Sequence, residues 1–216
     1  MERRYQVFVS STFDDLREER AAVIGALLQM DCFPTGMELF PAADEDSWTL
    51  IKNVIADSDY YLIVLGGRYG SVPPGEARSF TQMEYEYALS IGKPTIALLH
   101  GNPGVLPAQN SEVSDEGRSR LDQSRESLKK KNCRFWGGLG ELTAAVFTGI
   151  QHLKKTRPSD GWLRGAELPD TNLRDELLRL RREIDSLNGE LAVARSEAIP
   201  EGIDEFAQGL KRPPSL

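Results

Sequence analysis

The sequence predicts a doubly wound α/β domain with helices on both faces of a parallel five-stranded sheet, order 2-1-3-4-5, followed by a heptad helix. Three observations predict it. Short apolar runs of strand length alternate with amphipathic segments of helix length from Tyr5 to Lys155, the pattern of right-handed βαβ crossovers. The clearest run, Asp59 to Leu65, is almost wholly apolar, as a strand covered on both faces must be. Beyond Gly165, leucines recur at alternating spacings of four and three, which is a heptad repeat. The expected organisation is an α/β domain over 1–165 and a tail over 166–216, its heptad helix at about 170–196.

Taken in order, Tyr5 to Val9 reads as a buried strand ended by Ser10-Ser11-Thr12. A helix opens at Asp14, with Asp14 and Asp15 in its first turn and Leu16, Val23, Ile24, Leu27 and Leu28 as its apolar stripe. Arg20 falls at the edge of that stripe. It either covers the helix edge with its stem or turns into a crevice toward an acid or an anion. Cys32 to Phe40 is a second strand, interrupted by Pro34-Thr35-Gly36, and Ser47 to Asp57 a second helix with Trp48, Ile51, Val54 and Ile55 inward.

The third strand leads through Gly66-Gly67-Arg68-Tyr69-Gly70 and a Pro/Gly-rich loop to a helix over Ser79–Gly92. At ~100° per residue, Phe80, Met83, Tyr87, Ala88 and Ile91 share its inner face. Glu84 lies in the middle of that face, in the first turn, and Glu86 points away. An inward carboxylate without a partner or a task costs on the order of several kcal/mol. Pro94 to Leu99 is a fourth strand, Arg118 to Lys131 an outer helix, Cys133 to Trp136 an edge strand, and Leu139 to Lys155 a last helix with Leu142, Val146, Ile150 and Leu153 inward.

In the tail, Leu173, Leu177, Leu180, Ile184, Leu187, Leu191 and Ala194 stay in phase with charges on the other face. Such a helix either self-associates, the reading favoured here, or folds back on the domain. Beyond Pro200 the chain reads as polar and loose.

Bulk properties narrow the function. A net charge of -7 gives no footprint for nucleic acid. Lys129-Lys130-Lys131 is a solvated helix end. Cys32 and Cys133 are unpaired by spacing, His100 and His152 form no ligand cluster, and no run approaches a signal sequence or a membrane span. A cytoplasmic protein without metal or cofactor is expected.

In such a sheet, ligands bind beyond the carboxyl ends of the strands where the order reverses, between the first and third. Ser10, Ser11, Thr12 and Phe13 meet Gly66, Arg68 and Tyr69 there, with Thr81 and Glu84 on the following helix. Hydroxyls, helix-start amides, an arginine and aromatic rings suit a nucleoside or nucleotide. Arg20 and Glu38 are possible supports. The glycine loop has neither Walker A nor GxGxxG spacing.

YQVFVSSTFDDLREER, SDYYLIVLGGRYG, SFTQMEYEYALSIGKP and the closing GWLRG together resemble the domain-of-unknown-function family 4062, over about residues 3–165. That family is similar in fold to Toll/interleukin-1 receptor (TIR) domains, to nucleoside deoxyribosyltransferases and hence to flavodoxin-like three-layer proteins. MEYEYALSIGKP resembles the deoxyribosyltransferase helix whose glutamate, eight residues before the Gly-Lys pair, acts at the ribose anomeric carbon; here that is Glu84. Glu86 stands where that pattern has glycine, and the Trp-Cys pair of TIR enzymes is absent. The resemblance implies an effector that cleaves the N-glycosidic bond of NAD or a related nucleotide, is activated by oligomerisation and serves defence or cell death. The alternative it leaves open is a TIR-like adaptor without catalysis, paired with a sensor or signalling partner. A base-exchanging salvage enzyme fits the appended tail less well.

Overall fold

The computed structural model describes residues 3–36, 47–131, 133–165 and 171–197. The chain divides into two compact units, Met1–Leu163 and Arg164–Leu216. The first contains β1 (Tyr5–Ser11), α1 (Arg17–Gln29), β2 (Cys32–Thr35), α2 (Ser47–Asp57), β3 (Tyr60–Leu65), α3 (Phe80–Ser90), β4 (Thr95–His100), α4 (Asp115–Lys129), β5 (Cys133–Trp136) and α5 (Leu139–Thr156). The second contains α6 (Thr171–Glu197).

All four strand pairings are parallel and the order is β2-β1-β3-β4-β5, a flavodoxin-like arrangement. Side chains alternate across a strand, and here the alternation sorts the core into two halves. Val7, Val9, Tyr60, Leu62, Val64, Ile96 and Leu98 pack with α1 and α5, while Phe8, Tyr61, Ile63, Leu65, Ala97 and Leu99 pack with α2, α3 and α4. The helix α5 lies so close to the sheet that a β-carbon on Gly149 would fall 1.8 Å from Ile96 Cδ1.

Several boundaries differ from the sequence reading. Helix α1 starts at Arg17, not Asp14, because Asp15 and Leu16 are drawn inward by burial before the helix begins. Asp14 pairs with Arg17 (2.8 Å) outside it. On α1, Val23, Ala26 and Leu27 are buried, but Leu28 is 58% exposed. On α3, Thr81 and Tyr85 are buried and Ile91, past the helix end, is exposed. Pro34 does not interrupt β2; it pairs with Val7, since an edge strand tolerates a missing amide. Residues 37–40 of the expected second strand, Glu38 among them, and the chain beyond 197 lie outside the described residues. The helix expected from Arg118 begins at Asp115, capped by Ser114, and buries Leu121, Arg125 and Leu128 rather than lying wholly outside.

The unit closes on itself at the amino ends of its strands. Arg4 and Trp162 exchange backbone hydrogen bonds. Asp59 accepts from the Gln6 amide (2.8 Å), the Ser159 hydroxyl (2.5 Å) and the Gly161 amide (3.2 Å). In the second unit, Leu177, Leu180, Ile184, Leu187 and Leu191 of α6 are each about half exposed. No helix among the described residues is long and apolar enough to cross a membrane.

Candidate functional site

The end of β1 distributes two hydroxyls between the two faces of the sheet. Ser10 continues the Phe8 side and meets α3; Ser11 continues the Val9 side and meets α1. Ser10 donates its hydroxyl to Glu84 Oε2 at 2.5 Å, and both residues are buried, at 1% and 3% exposure. Glu84 is the fifth residue of α3, so it belongs to the second turn, not the first. Ser79 caps that helix by accepting from the Gln82 amide, which fixes the angle at which Glu84 meets the sheet. Burial pushes the neighbouring Tyr61 phenol well above its usual range, and the charge of Glu84 adds to the effect.

Arg20 resolves toward the crevice. It is 5% exposed and donates from Nη1 to Ser11 Oγ (2.6 Å) and more weakly to the Val9 carbonyl (3.4 Å). A guanidinium is thus anchored at the carboxyl end of β1, where the sheet order reverses.

Glu84, Arg20 and Ser10 line a cleft of about 680 Å³, within the range of small-ligand sites. Its other walls are Ser11, Thr12, Phe13, Asp14, Asp15, Arg68, Gly70, Ser71, Phe80, Thr81 and Glu112. Phe13 sits at the rim, half exposed, with the Arg17 guanidinium 5.0 Å from its ring. Arg68 is held by the Gln109 carbonyl (2.5 Å). Thr81 is buried on α3 and lines this cleft and a neighbouring cavity.

Two expected residues lie elsewhere. Tyr69 turns away into the neighbouring cavity between α3 and α4, about 280 Å³ in volume. Its hydroxyl donates to Gln82 (2.5 Å), and Arg120 stands over its ring. Gly66 is packed under the β1–α1 loop, where a β-carbon would meet Leu16 Cδ2 at 2.8 Å. Glu38 lies outside the described residues.

Among the wall positions that the sequence reading did not name as site residues, three bear on the chemistry. Asp15 is buried against this loop, and burial raises its pKa; Thr12, a backbone amide and the Arg68 charge oppose the rise, and Asp14 adds to it. Among the described residues, neither carboxylate oxygen of Asp15 nor the Thr12 hydroxyl has a hydrogen-bond partner. Glu112 arrives from far downstream because Gly67 bridges to Ser111, and it accepts from the Tyr69 amide (2.7 Å). Gly70 has φ +97° and a β-carbon there would sit 3.1 Å from Thr12. Of the three, only Gly70 left a signal, since a glycine-rich loop announces a turn that needs positive φ.

The Gly-Lys-Pro end of the motif does other work. Gly92 (φ +70°) lets the chain leave α3. The Lys93 ammonium caps α2 by donating to the carbonyls of Ala56 (2.8 Å) and Ser58 (2.5 Å). These contacts lie at the amino end of β3, away from the cleft.

Fold and cleft together define a flavodoxin-like α/β domain with four acids, two arginines and several hydroxyls lining its switch point. Residues 6–151 match the family model described as Domain of unknown function (DUF4062), and the chain belongs to that family. No curated protein matches it. Among solved structures it is similar to a short-chain flavodoxin associated with a bacterial microcompartment, at 9% identity and a TM-score of 0.36, covering 70% of this chain and 99% of that one. It is also similar to a flavodiiron core from Synechocystis (11%, TM-score 0.39, 71% of this chain and 36% of that one). A flavo di-iron protein from Thermotoga maritima matches at 16% (TM-score 0.38, 71% and 37%). Likenesses at this level say nothing of ligand or reaction.

Proposed function

We propose that this DUF4062 protein is a TIR-like effector that cleaves the N-glycosidic bond of NAD or a related nucleotide. The observation that carries the reading is Glu84: a buried carboxylate, hydrogen-bonded to Ser10, on the wall of a ligand-sized cleft that also holds Arg20 and Arg68. In this reading Glu84 stabilises the positive ribosyl centre as the bond between C1′ and the nicotinamide nitrogen breaks. Nicotinamide leaves with the bonding pair. Water then forms the new C1′–O bond and gives up a proton. Ser11, Thr12 and Thr81 hold ribose or phosphate oxygens, Arg68 meets the diphosphate, and Phe13, rather than Tyr69, stacks on a base. Self-association through residues 170–196 switches the activity on, in a cytoplasmic defence or cell-death role.

The test is nicotinamide release from NAD by concentrated protein, beside Glu84→Gln. Loss of release in the variant supports the reading; inert wild-type protein in every oligomeric state defeats it. One observation favours a second reading, a non-catalytic adaptor that assembles with a signalling partner. Glu84 is only 3% exposed and already engaged by Ser10, as a structural acid would be. Under that reading Glu84→Gln lowers stability and leaves NAD untouched.

A further inference from the structure

The flanks of α6 carry a charge code. With Leu177, Ile184 and Leu191 at heptad position a, and Leu173, Leu180, Leu187 and Ala194 at d, the g positions are Glu176, Glu183, Glu190 and Glu197. The e positions are Arg174, Arg181, Asn188 and Arg195. One flank of the apolar seam is therefore entirely acidic, and the other is basic except at Asn188.

We infer that α6 pairs with α6 of a second copy of this chain in a parallel, in-register, two-stranded coiled coil. The inference deepens the self-association in the proposed function and rests on it. In a parallel pair, each g residue faces the e residue of the partner's next heptad. Glu176 then meets the partner's Arg181, Glu190 meets the partner's Arg195, and Glu183 meets the partner's Asn188. In an antiparallel pair, g faces g and e faces e, so glutamates oppose glutamates and arginines oppose arginines. A partner helix of one charge sign would be repelled along one flank. A second copy, oriented in parallel, satisfies both flanks at once.

The seam adds one feature of its own: Ile184 at a, flanked by Leu180 and Leu187 at d, is the combination that favours two strands, and Gly189 falls at f, off the seam. Among the described residues of α6, the ion pairs that involve these flanks are Glu176 with Arg179 (3.7 Å) and Arg181 with Asp185 (3.8 Å), all well exposed. Exposed pairs of this length are worth little, so exchanging them for contacts across the dimer costs little.

The experiment uses the full chain in a Cys133→Ser background, with Leu173→Cys and Ala194→Cys made separately and oxidised mildly. Parallel pairing predicts that each variant cross-links to itself and that mixing the two adds nothing. Cross-linking only on mixing would overturn the parallel arrangement while leaving self-association intact. A second arm measures solution mass. Wild type is expected as a dimer. The triple Glu176→Lys/Glu183→Lys/Glu190→Lys and the triple Arg174→Glu/Arg181→Glu/Arg195→Glu should each weaken it roughly tenfold or more, and their equimolar mixture should restore it. A trimer, or charge triples that dimerise as well as wild type, would overturn the two-stranded charge-coded pairing. A wild type that stays monomeric at all concentrations removes the self-association underneath. Nicotinamide release is not read in either arm, so the proposed chemistry can fail or stand separately.

Discussion

The Ser10 hydroxyl and the Glu84 carboxylate meet at 2.5 Å across the join between β1 and α3, with almost no solvent reaching either. A strand end and a helix face are thus linked by this hydrogen bond at the place where ligands enter this kind of sheet.

Ser10→Ala should therefore cost about 1.5–3 kcal/mol, the range for a hydrogen bond to a charged group. Glu84→Gln should cost less, because its amide oxygen still accepts from Ser10. Denaturant unfolding of the two variants checks the order. If nicotinamide release is observed, Ser10→Ala should retain part of it and Glu84→Gln almost none.

Asp15 makes a prediction with a sign. Its folded pKa is raised above 3.8, chiefly by burial, so its charged form destabilises the fold. That penalty is full above the folded pKa and fades as pH falls through it toward 3.8. Asp15→Asn should raise the melting temperature by a few degrees at neutral pH, about the effect of 1 kcal/mol in a domain of this size. The gain should shrink as the solution is acidified. A gain that is constant with pH would show that the charge is not its source.

Four glycines separate space from backbone freedom. Gly67→Ala should cost about 1–3 kcal/mol by overpacking, because its β-carbon would lie 2.4 Å from the Asn110 carbonyl oxygen. Gly70→Ala adds positive φ to a tight fit against Thr12 and should also weaken ligand binding in the cleft. Gly75→Ala has positive φ in open space and should cost only about 1 kcal/mol. Gly25→Ala, inside α1 with nothing within 4 Å, should stabilise by about 0.5–1 kcal/mol. Thermal melts of the four rank them.

Lys93→Met tests whether the Gly-Lys pair belongs to the cleft. The structure has Lys93 capping α2, so the variant should lose roughly 1 kcal/mol and leave nucleotide affinity unchanged. A large loss of affinity at unchanged stability would place Lys93 in the site.

What was legible in the sequence followed periodicity. The bounds of β5 were readable because Cys133–Trp136 is a short run stopped by Gly137-Gly138, and the buried face of α5 because Leu142, Val146, Ile150 and Leu153 recur at spacings of four, four and three. Glu84 was legible on the same ground, as an acid on an apolar stripe. Tyr69 was not, because a ring in a glycine loop has no period to orient it, and the Gln82 hydrogen bond that turns it away is tertiary. Asp15 read as a helix-start acid because acids are common there; its burial against Gly66 depends on two loops meeting. Glu112 depends on the docking of Gly67 against Ser111, which no local pattern encodes.

The Arg4–Trp162 clasp has a consequence for how this unit can be used. Its entry and exit strands emerge side by side, at the amino end of the sheet, while the cleft opens about 20 Å away at the other end of β1. A cassette whose two ends touch can be spliced into a surface loop of a host protein, or have its ends joined and be reopened elsewhere, without stretching its frame. The helix that follows in sequence is then one attachment among many that such an end could accept.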